Sequence, residues 1–135
     1  MDATALHAIE TTVRQLEACW AGLSAENWDA EPLPNIMSPR QVAEHLCDCY
    51  RGGAAALRGE PYEWGTYRLP EGAEPLSTWR AERANAVEAI RGGDPEKAPH
   101  VALEYIALHD AYHVGQLCAV RLALDPEWDA YSIYK

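Results

Sequence analysis

The sequence predicts an all-α protein, a four-helix bundle, on the basis of three observations. Apolar residues recur with a period near 3.6 along most of the 135 residues, whereas the alternation typical of β-strands is hard to find. Proline and glycine residues divide the chain into four amphipathic stretches of similar length. A chain of this length suits one core, around which four such helices pack most economically as a bundle. We therefore expect a single domain over residues 1–135.

The first helix is predicted over residues 3–23. Its inner stripe is apolar, and Asp2 precedes it as a candidate N-cap, because an aspartate side chain there accepts hydrogen bonds from first-turn amides. The connector that follows, residues 24–37, contains two prolines and is expected to hold one short turn at 24–28.

The second helix has the clearest start signal in the chain. Ser38 at the N-cap, Pro39 at the first helical position and Gln41 at the third form a capping-box pattern, and Gly59 is expected to end the helix. Residues 60–76 contain three prolines and two glycines without a helical stripe, which predicts a long loop. Such a loop can travel back along a helix of roughly 30 Å, so we expect helices 2 and 3 to run parallel, in up-down-down-up order.

The third helix is predicted from Ser77 to the glycine pair at 92–93, and the fourth from about His100 to Leu124, before an Asp-Pro dipeptide. The inner stripe of this fourth helix is aliphatic at both ends and carries imidazoles in the middle. That substitution of imidazole for an aliphatic side chain points to chemistry rather than packing.

Three histidines are the candidate metal ligands. His109 and His113 lie four residues apart on one face of the fourth helix, and His45 lies on the inner stripe of the second helix. Three imidazoles from two helices can therefore converge in the bundle interior. On Zn²⁺ or Ni²⁺ such a set leaves one or more positions open, as a catalytic site requires. Taken singly, an inward histidine is instead a hydrogen-bonded core residue.

Other residues near these stripes have competing interpretations. Cys49, one turn after His45, is either a further metal ligand or a small buried apolar residue. Gln116 either orients a histidine or a bound water, or packs against a neighbouring helix. Tyr112 is either a core or interhelical aromatic or a proton donor, and Gly115 is expected to let a neighbouring helix approach closely.

Four further side chains are assigned by position. Trp64 and Tyr67, in the long loop, either wall the mouth of a pocket or cover the end of the bundle. His7 and His100 lie near helix starts, away from the histidine stripes, and are expected to face solvent.

Composition restricts the partners and the compartment. The net charge is -10, from 21 acidic and 11 basic residues, and it repels a polyanion such as DNA, so we expect no nucleic-acid partner. No apolar run approaches the roughly twenty residues of a membrane span, so we expect no membrane partner. The four cysteines lie in predicted helices with no secretory segment before them. These features predict a reduced, cytoplasmic protein without disulfides.

Two segments together resemble the DinB-like superfamily, which includes bacillithiol-dependent and mycothiol-dependent transferases. They are SPRQVAEHL at 38–46 and HDAYHVGQL at 109–117. The second is the more specific, because it follows the family pattern H-x-x-Y-H-x-G-Q-[LI] at His109, Tyr112, His113, Gly115 and Gln116. The first matches in its Ser-Pro helix start and in His45.

This resemblance implies an up-down-down-up bundle in which His45, His109 and His113 bind one divalent metal, Zn or Ni. It also implies a homodimer and, as co-substrate, a small-molecule thiol such as bacillithiol or mycothiol. A thiol in the open metal position would lose its proton and attack an electrophile, so we expect a metal-dependent S-transferase of detoxification or stress response. Two alternatives stay open: a metal-dependent hydrolase, or a metal-binding stress-response bundle without catalysis.

Overall fold

The computed structural model describes residues 2–135, and within them it contains four long helices and no β-strand. Three of the helices are α1 (Ala3–Trp20), α2 (Pro39–Arg58) and α3 (Pro75–Arg91). The all-α prediction is confirmed.

The fourth long helix, residues 98–124, has three consecutive parts. They are α4 (Ala98–Val101), a π-helical segment (Ala102–Ala107) and α5 (Leu108–Leu124). Short 3-10 turns lie at Asn27–Asp29 and Ala130–Tyr134. The sequence pattern predicted neither the π-helical segment nor the C-terminal turn.

The predicted caps form as expected. The Asp2 carboxylate accepts a hydrogen bond from the Ala5 N–H, in the first turn of α1, at 3.0 Å. The Ser38 hydroxyl accepts the Gln41 N–H at 3.2 Å, and the Gln41 side chain accepts the Ser38 N–H at 2.9 Å, which completes the capping box. Gly59 ends α2 in the left-handed region, with φ of 69°.

Three helix ends differ from the prediction. Helix α1 ends at Trp20, before Gly22 turns the chain with φ of 74°. Helix α3 begins two residues earlier than predicted, at Pro75, because proline is well suited to the first helical turn. The fourth helix likewise begins earlier, at Ala98. The long loop is correspondingly shorter.

Contacts between helices give their order. The Trp79 indole donates to the Tyr50 hydroxyl at 3.0 Å, and Leu57, later on α2, packs on Gly93, just after the end of α3. Residue numbers in contact therefore increase in the same direction along both helices. These two helices therefore run parallel. In contrast, His45 meets His109 whereas the later residue Gly53 meets the earlier residue Tyr105, so α2 and the fourth helix are antiparallel.

Helix α1 runs parallel to the fourth helix. The Thr12 hydroxyl donates to Asp110 at 2.9 Å near the middle of α1, and Arg121 donates to the Cys19 carbonyl at 2.8 Å near its end. With α2 and α3 both pointing the other way, the order is up-down-down-up, as predicted. None of the helices in residues 2–135 is long and apolar enough to cross a bilayer.

A carboxylate on α2 anchors the loop between α2 and α3. Asp48 accepts hydrogen bonds from the Tyr62 hydroxyl at 2.7 Å and from the backbone N–H groups of Gly65 and Tyr67 at 2.9 and 3.2 Å. Burial raises the pKa of Asp48, but these three hydrogen bonds outweigh it and lower the pKa overall. The loop is therefore fixed against the helix that carries His45.

Candidate metal centre

The antiparallel packing of α2 against the fourth helix brings the three predicted histidines together. The Nε2 atom of His109 lies 3.0 Å from Nε2 of His45 and 3.0 Å from Nε2 of His113. One ring nitrogen from each of the three residues lies within 4.8 Å of the other two.

Such a cluster suits a cation better than a hydrogen-bond network. Each Nε2 atom offers either one hydrogen or one lone pair, so three of them at one point cannot all be paired with one another. Around a tetrahedral ion with bonds of about 2.0–2.1 Å, the nitrogens lie about 3.3 Å apart. The observed 3.0 Å separations are close to that value. The three residues can therefore hold a metal ion.

Burial keeps the imidazoles of His109 and His113 neutral, the form that binds metals. It lowers the pKa of His109 to about 4, with a further contribution from the nearby His45 ring. It also lowers the pKa of His113 to about 4, with contributions from His109 and His45. Near pH 7 both rings are therefore neutral, and each has one ring nitrogen with a lone pair available to a metal.

The cluster is accessible from one side. His113 is fully buried, whereas His45 and His109 are half-buried. Leu108 and Tyr112, which flank the histidines on α5, are 66% and 63% exposed. A small molecule can therefore approach the imidazoles along a partly apolar surface.

The structure excludes one of the two interpretations of Tyr112 and shows that the expectation for Gly115 is wrong. Tyr112 is not a core or interhelical aromatic, because its ring is exposed and packs edge-on against His113 of the same helix, with centroids 5.0 Å apart. Gly115 does not admit a neighbouring helix: a Cβ built there would have no described atom within 4 Å. At 100° per residue, Tyr112 and Gly115 point about 100° and 200° away from His113, towards the outer face of the helix.

Gln116 lies beside the buried ring of His113. Its Nε2 donates to the Tyr112 hydroxyl at 3.2 Å. Within the described chain, Gln116 Oε1 and His113 Nδ1 are both buried without a hydrogen-bond partner. The Gln116 side chain raises the pKa of His113, against the larger lowering by burial, as a hydrogen-bond acceptor facing the ring would.

Cys49 adjoins the cluster. Its side chain is buried, and its Sγ lies 4.0 Å from Nε2 of both His45 and His109. Burial, with smaller contributions from Asp48 and Asp110, raises the pKa of the Cys49 thiol to about 12. Cys49 thus combines both positions that the sequence suggested, inside the core and next to the candidate ligands.

Comparison with known families accounts for the histidine pattern. A family model described as the DinB superfamily matches residues 8–118, a range that includes all three histidines. The chain belongs to the DinB superfamily. No curated protein and no solved structure matches it. DinB-superfamily proteins generally bind metal ions, and the histidine cluster of this chain can hold one.

The two loop aromatics of this DinB-superfamily chain have different positions. Trp64 stacks on Tyr105, one turn before His109, with ring centroids 5.9 Å apart, and it remains 53% exposed. Tyr67 is buried under the Arg51 guanidinium, which lies 4.6 Å from its ring centroid. Trp64 therefore lies on the flank of the helix pair that carries the site, whereas Tyr67 belongs to the core. His7 and His100 are exposed, as predicted.

Sequence reasoning missed a buried polar network around Asp110, the residue after His109. The fully buried Asp110 carboxylate accepts hydrogen bonds from Tyr50 at 2.6 Å, Thr12 at 2.9 Å and Arg83 at 2.9 Å. These residues lie on α5, α2, α1 and α3, so the network joins all four helices at the level of His109. One signal was available, because Arg83 interrupts an otherwise apolar stripe on α3.

The π-helical segment was also missed. Its last residue, Ala107, directly precedes the turn of the DinB-superfamily helix that carries His109. Single π-helical turns occur frequently at functional sites, because a widened turn changes the direction of the side chains that follow. Its apolar sequence, ALEYIA, is compatible with an ordinary α-helix, so periodicity alone gives no warning.

Proposed function

We propose that this DinB-superfamily chain is a metal-dependent S-transferase that uses a low-molecular-weight thiol. The single observation that carries the proposal is the convergence of three imidazole Nε2 atoms, 3.0 Å apart in two pairs, at a site open on one side. Three protein ligands with an accessible remaining position are typical of a catalytic metal rather than a structural one.

The residues around the cluster have separate roles in this proposal. His45, His109 and His113 hold a divalent ion, Zn or Ni. Such an ion, when bound, supplies Lewis-acid chemistry that lowers the pKa of a thiol at its open position. The exposed side chains of Leu108 and Tyr112 offer apolar contact to an electrophile.

The remaining expectations belong to the same proposal. Bacillithiol or mycothiol is the expected co-substrate, and detoxification or stress response the expected context. We further propose a cytoplasmic homodimer with no nucleic-acid or membrane partner. The excess of acidic residues supports the absence of a nucleic-acid partner.

Metal content is the first test. Protein purified without a polyhistidine tag should contain close to one equivalent of Zn or Ni by elemental analysis. His113→Ala should lose that metal, whereas His100→Ala should keep it, because His100 lies on the same long helix but is exposed. Absence of metal from the wild type, or equal loss in both variants, would contradict the proposed site.

Activity is the second test. The metal-loaded protein is incubated with bacillithiol, mycothiol or glutathione and an epoxide or chlorinated aromatic, and the thiol adduct is measured by mass spectrometry. We expect an adduct whose formation depends on His113. A product that forms at the same rate without thiol would indicate a hydrolase, and no product with any pair would count against catalysis.

A further inference from the structure

We propose that Cys49 is a fourth protein ligand of this site. In the resting protein its thiolate takes the position that a substrate thiol occupies after displacing it, and the set of three imidazoles and one thiolate selects Zn²⁺ over Ni²⁺. This inference rests on the proposed function only in assuming that the histidine cluster binds a metal. It concerns a residue outside the histidine motifs.

The geometry of Cys49 is close to that of a ligand. In a tetrahedral site with Zn–S of about 2.3 Å and Zn–N of about 2.0–2.1 Å, sulfur and nitrogen lie about 3.6 Å apart. Cys49 Sγ is 4.0 Å from Nε2 of His45 and 4.0 Å from Nε2 of His109. A shift of about half an ångström, within reach of a small side-chain rotation, would bring these two sulfur–nitrogen separations to the tetrahedral value.

The two helices contribute in the same way. His45 and Cys49 are four residues apart on α2, as His109 and His113 are on α5, so each helix presents two donors on one face. Because the helices are antiparallel, both donors of α2 face His109, whose Nε2 lies 3.0 Å from Nε2 of His45 and 4.0 Å from Sγ of Cys49. The three histidines form the cluster within 4.8 Å, and Cys49 is the adjoining donor, in contact with two of them.

Cys49 differs from the other cysteines in what its sulfur faces. Within the described chain, the polar contacts of Cys49 Sγ are the two imidazole nitrogens. Cys47 lies beside Tyr67, while Cys19 and Cys118 interact with each other between α1 and α5. Of the four thiols, Cys49 is therefore the one directed at the histidine cluster.

Ligation has a defined chemical balance. The S–H bond of Cys49 breaks, a sulfur–metal bond forms, and the proton leaves to solvent. A tetrahedral set that includes a thiolate favours Zn²⁺, whereas Ni²⁺ prefers square-planar or tetragonal arrangements. With four protein ligands in place, a substrate thiol would enter by displacing Cys49.

The test uses Co²⁺ as a spectroscopic probe of the intact protein. The wild type with one equivalent of Co²⁺ should show the near-ultraviolet charge-transfer absorption of a cobalt–thiolate bond. Cys49→Ala should lose that absorption, whereas the matched control Cys47→Ala, two residues away on the same helix and also buried, should keep it. Cys49→Ala should bind Zn²⁺ at least about tenfold more weakly, and its preference for Zn²⁺ over Ni²⁺ should fall.

The outcomes separate this inference from the proposed function. Co²⁺ binding at one equivalent without the charge-transfer absorption would overturn the role of Cys49 and leave the histidine site intact. Failure of the wild type to bind Co²⁺, Zn²⁺ or Ni²⁺ would overturn both. X-ray absorption of the Zn²⁺-loaded wild type needs no variant: a sulfur at about 2.3 Å supports the inference, and a shell of nitrogen and oxygen alone refutes it.

Discussion

Replacing Asp110 with asparagine should destabilise the protein by about 4 kcal/mol, because the substitution removes the counter-charge of a buried cation. Asp110 is fully buried, and the Arg83 side chain is 7% exposed. Breaking a buried ion pair costs about 3–5 kcal/mol, since the remaining charge stays desolvated. Tyr50 and Thr12 also donate to this carboxylate, and an amide with one oxygen cannot accept all of these hydrogen bonds.

A second ion pair, between α3 and α1, serves as the matched control for the buried pair of Arg83 and Asp110. Arg80 on α3 and Glu17 on α1 form two hydrogen bonds of 2.7 Å, but their side chains are 54% and 35% exposed. Exposed pairs contribute up to about 1 kcal/mol, so Glu17→Gln should have a small effect. The buried and exposed pairs thus differ mainly in solvation.

The assay is urea unfolding of metal-free protein, followed by far-ultraviolet circular dichroism. In a thermal melt of the same variant, a loss of about 4 kcal/mol corresponds to a fall in Tm of about 10–20 °C for a domain of this size. Asp110→Asn combined with Arg83→Met should lose less than the two single losses added together, because no unpaired charge then remains. If Asp110→Asn costs no more than Glu17→Gln, the reasoning from desolvation is refuted.

Three further predictions concern the site and its helices. In metal-free protein the folded pKa values of His109 and His113, about 4, lie below the unfolded value of 6.5, so the unfolded state binds more protons. The contribution of these histidines to stability should be full above pH 6.5 and be lost as the pH falls towards 4. In thermal melts at a series of pH values, Tm of the wild type should therefore fall across that window more steeply than Tm of the double variant H109Q/H113Q. An equally flat dependence of Tm on pH in the wild type would exclude the effect. Gln116→Leu should weaken Zn²⁺ binding about 10–100-fold in a chelator competition while leaving Tm of the metal-free protein nearly unchanged, whereas unaltered affinity would assign Gln116 to packing. Gly53→Ala should destabilise by about 1–3 kcal/mol, since the new Cβ would lie 2.7 Å from a tyrosine side chain, but Gly115→Ala should stabilise by up to about 1 kcal/mol in the same unfolding assay.

The sequence predicted those features that local chemistry determines. The capping box at Ser38 and Gln41, and the left-handed glycine at the end of α2, depend on neighbouring residues and formed as expected. The His109 and His113 pair is likewise local, because spacing of four places two side chains on one helix face. Periodicity of this kind was sufficient to predict the fold class and the convergence of the candidate ligands.

Features that depend on distant parts of the chain were not predicted. Arg83 and Asp110 are 27 positions apart, and no spacing rule connects an arginine on one helix with an aspartate on another. A position in the core was one of two interpretations of Tyr112, because it adjoins a buried stripe, yet the outer face of α5 has no neighbour within the described chain to cover it. The side of a helix that receives no partner depends on the arrangement of all four helices.

The buried network also bears on how the metal site works. Asp110 ties the turn that carries His109 to α1, α2 and α3 through side chains that are independent of any metal. The imidazoles therefore converge before an ion arrives, and little ordering free energy is spent on binding. In small zinc domains, by contrast, the metal drives folding. A site formed by the fold itself can release or exchange a ligand without unfolding, which is what the proposed entry of a substrate thiol requires.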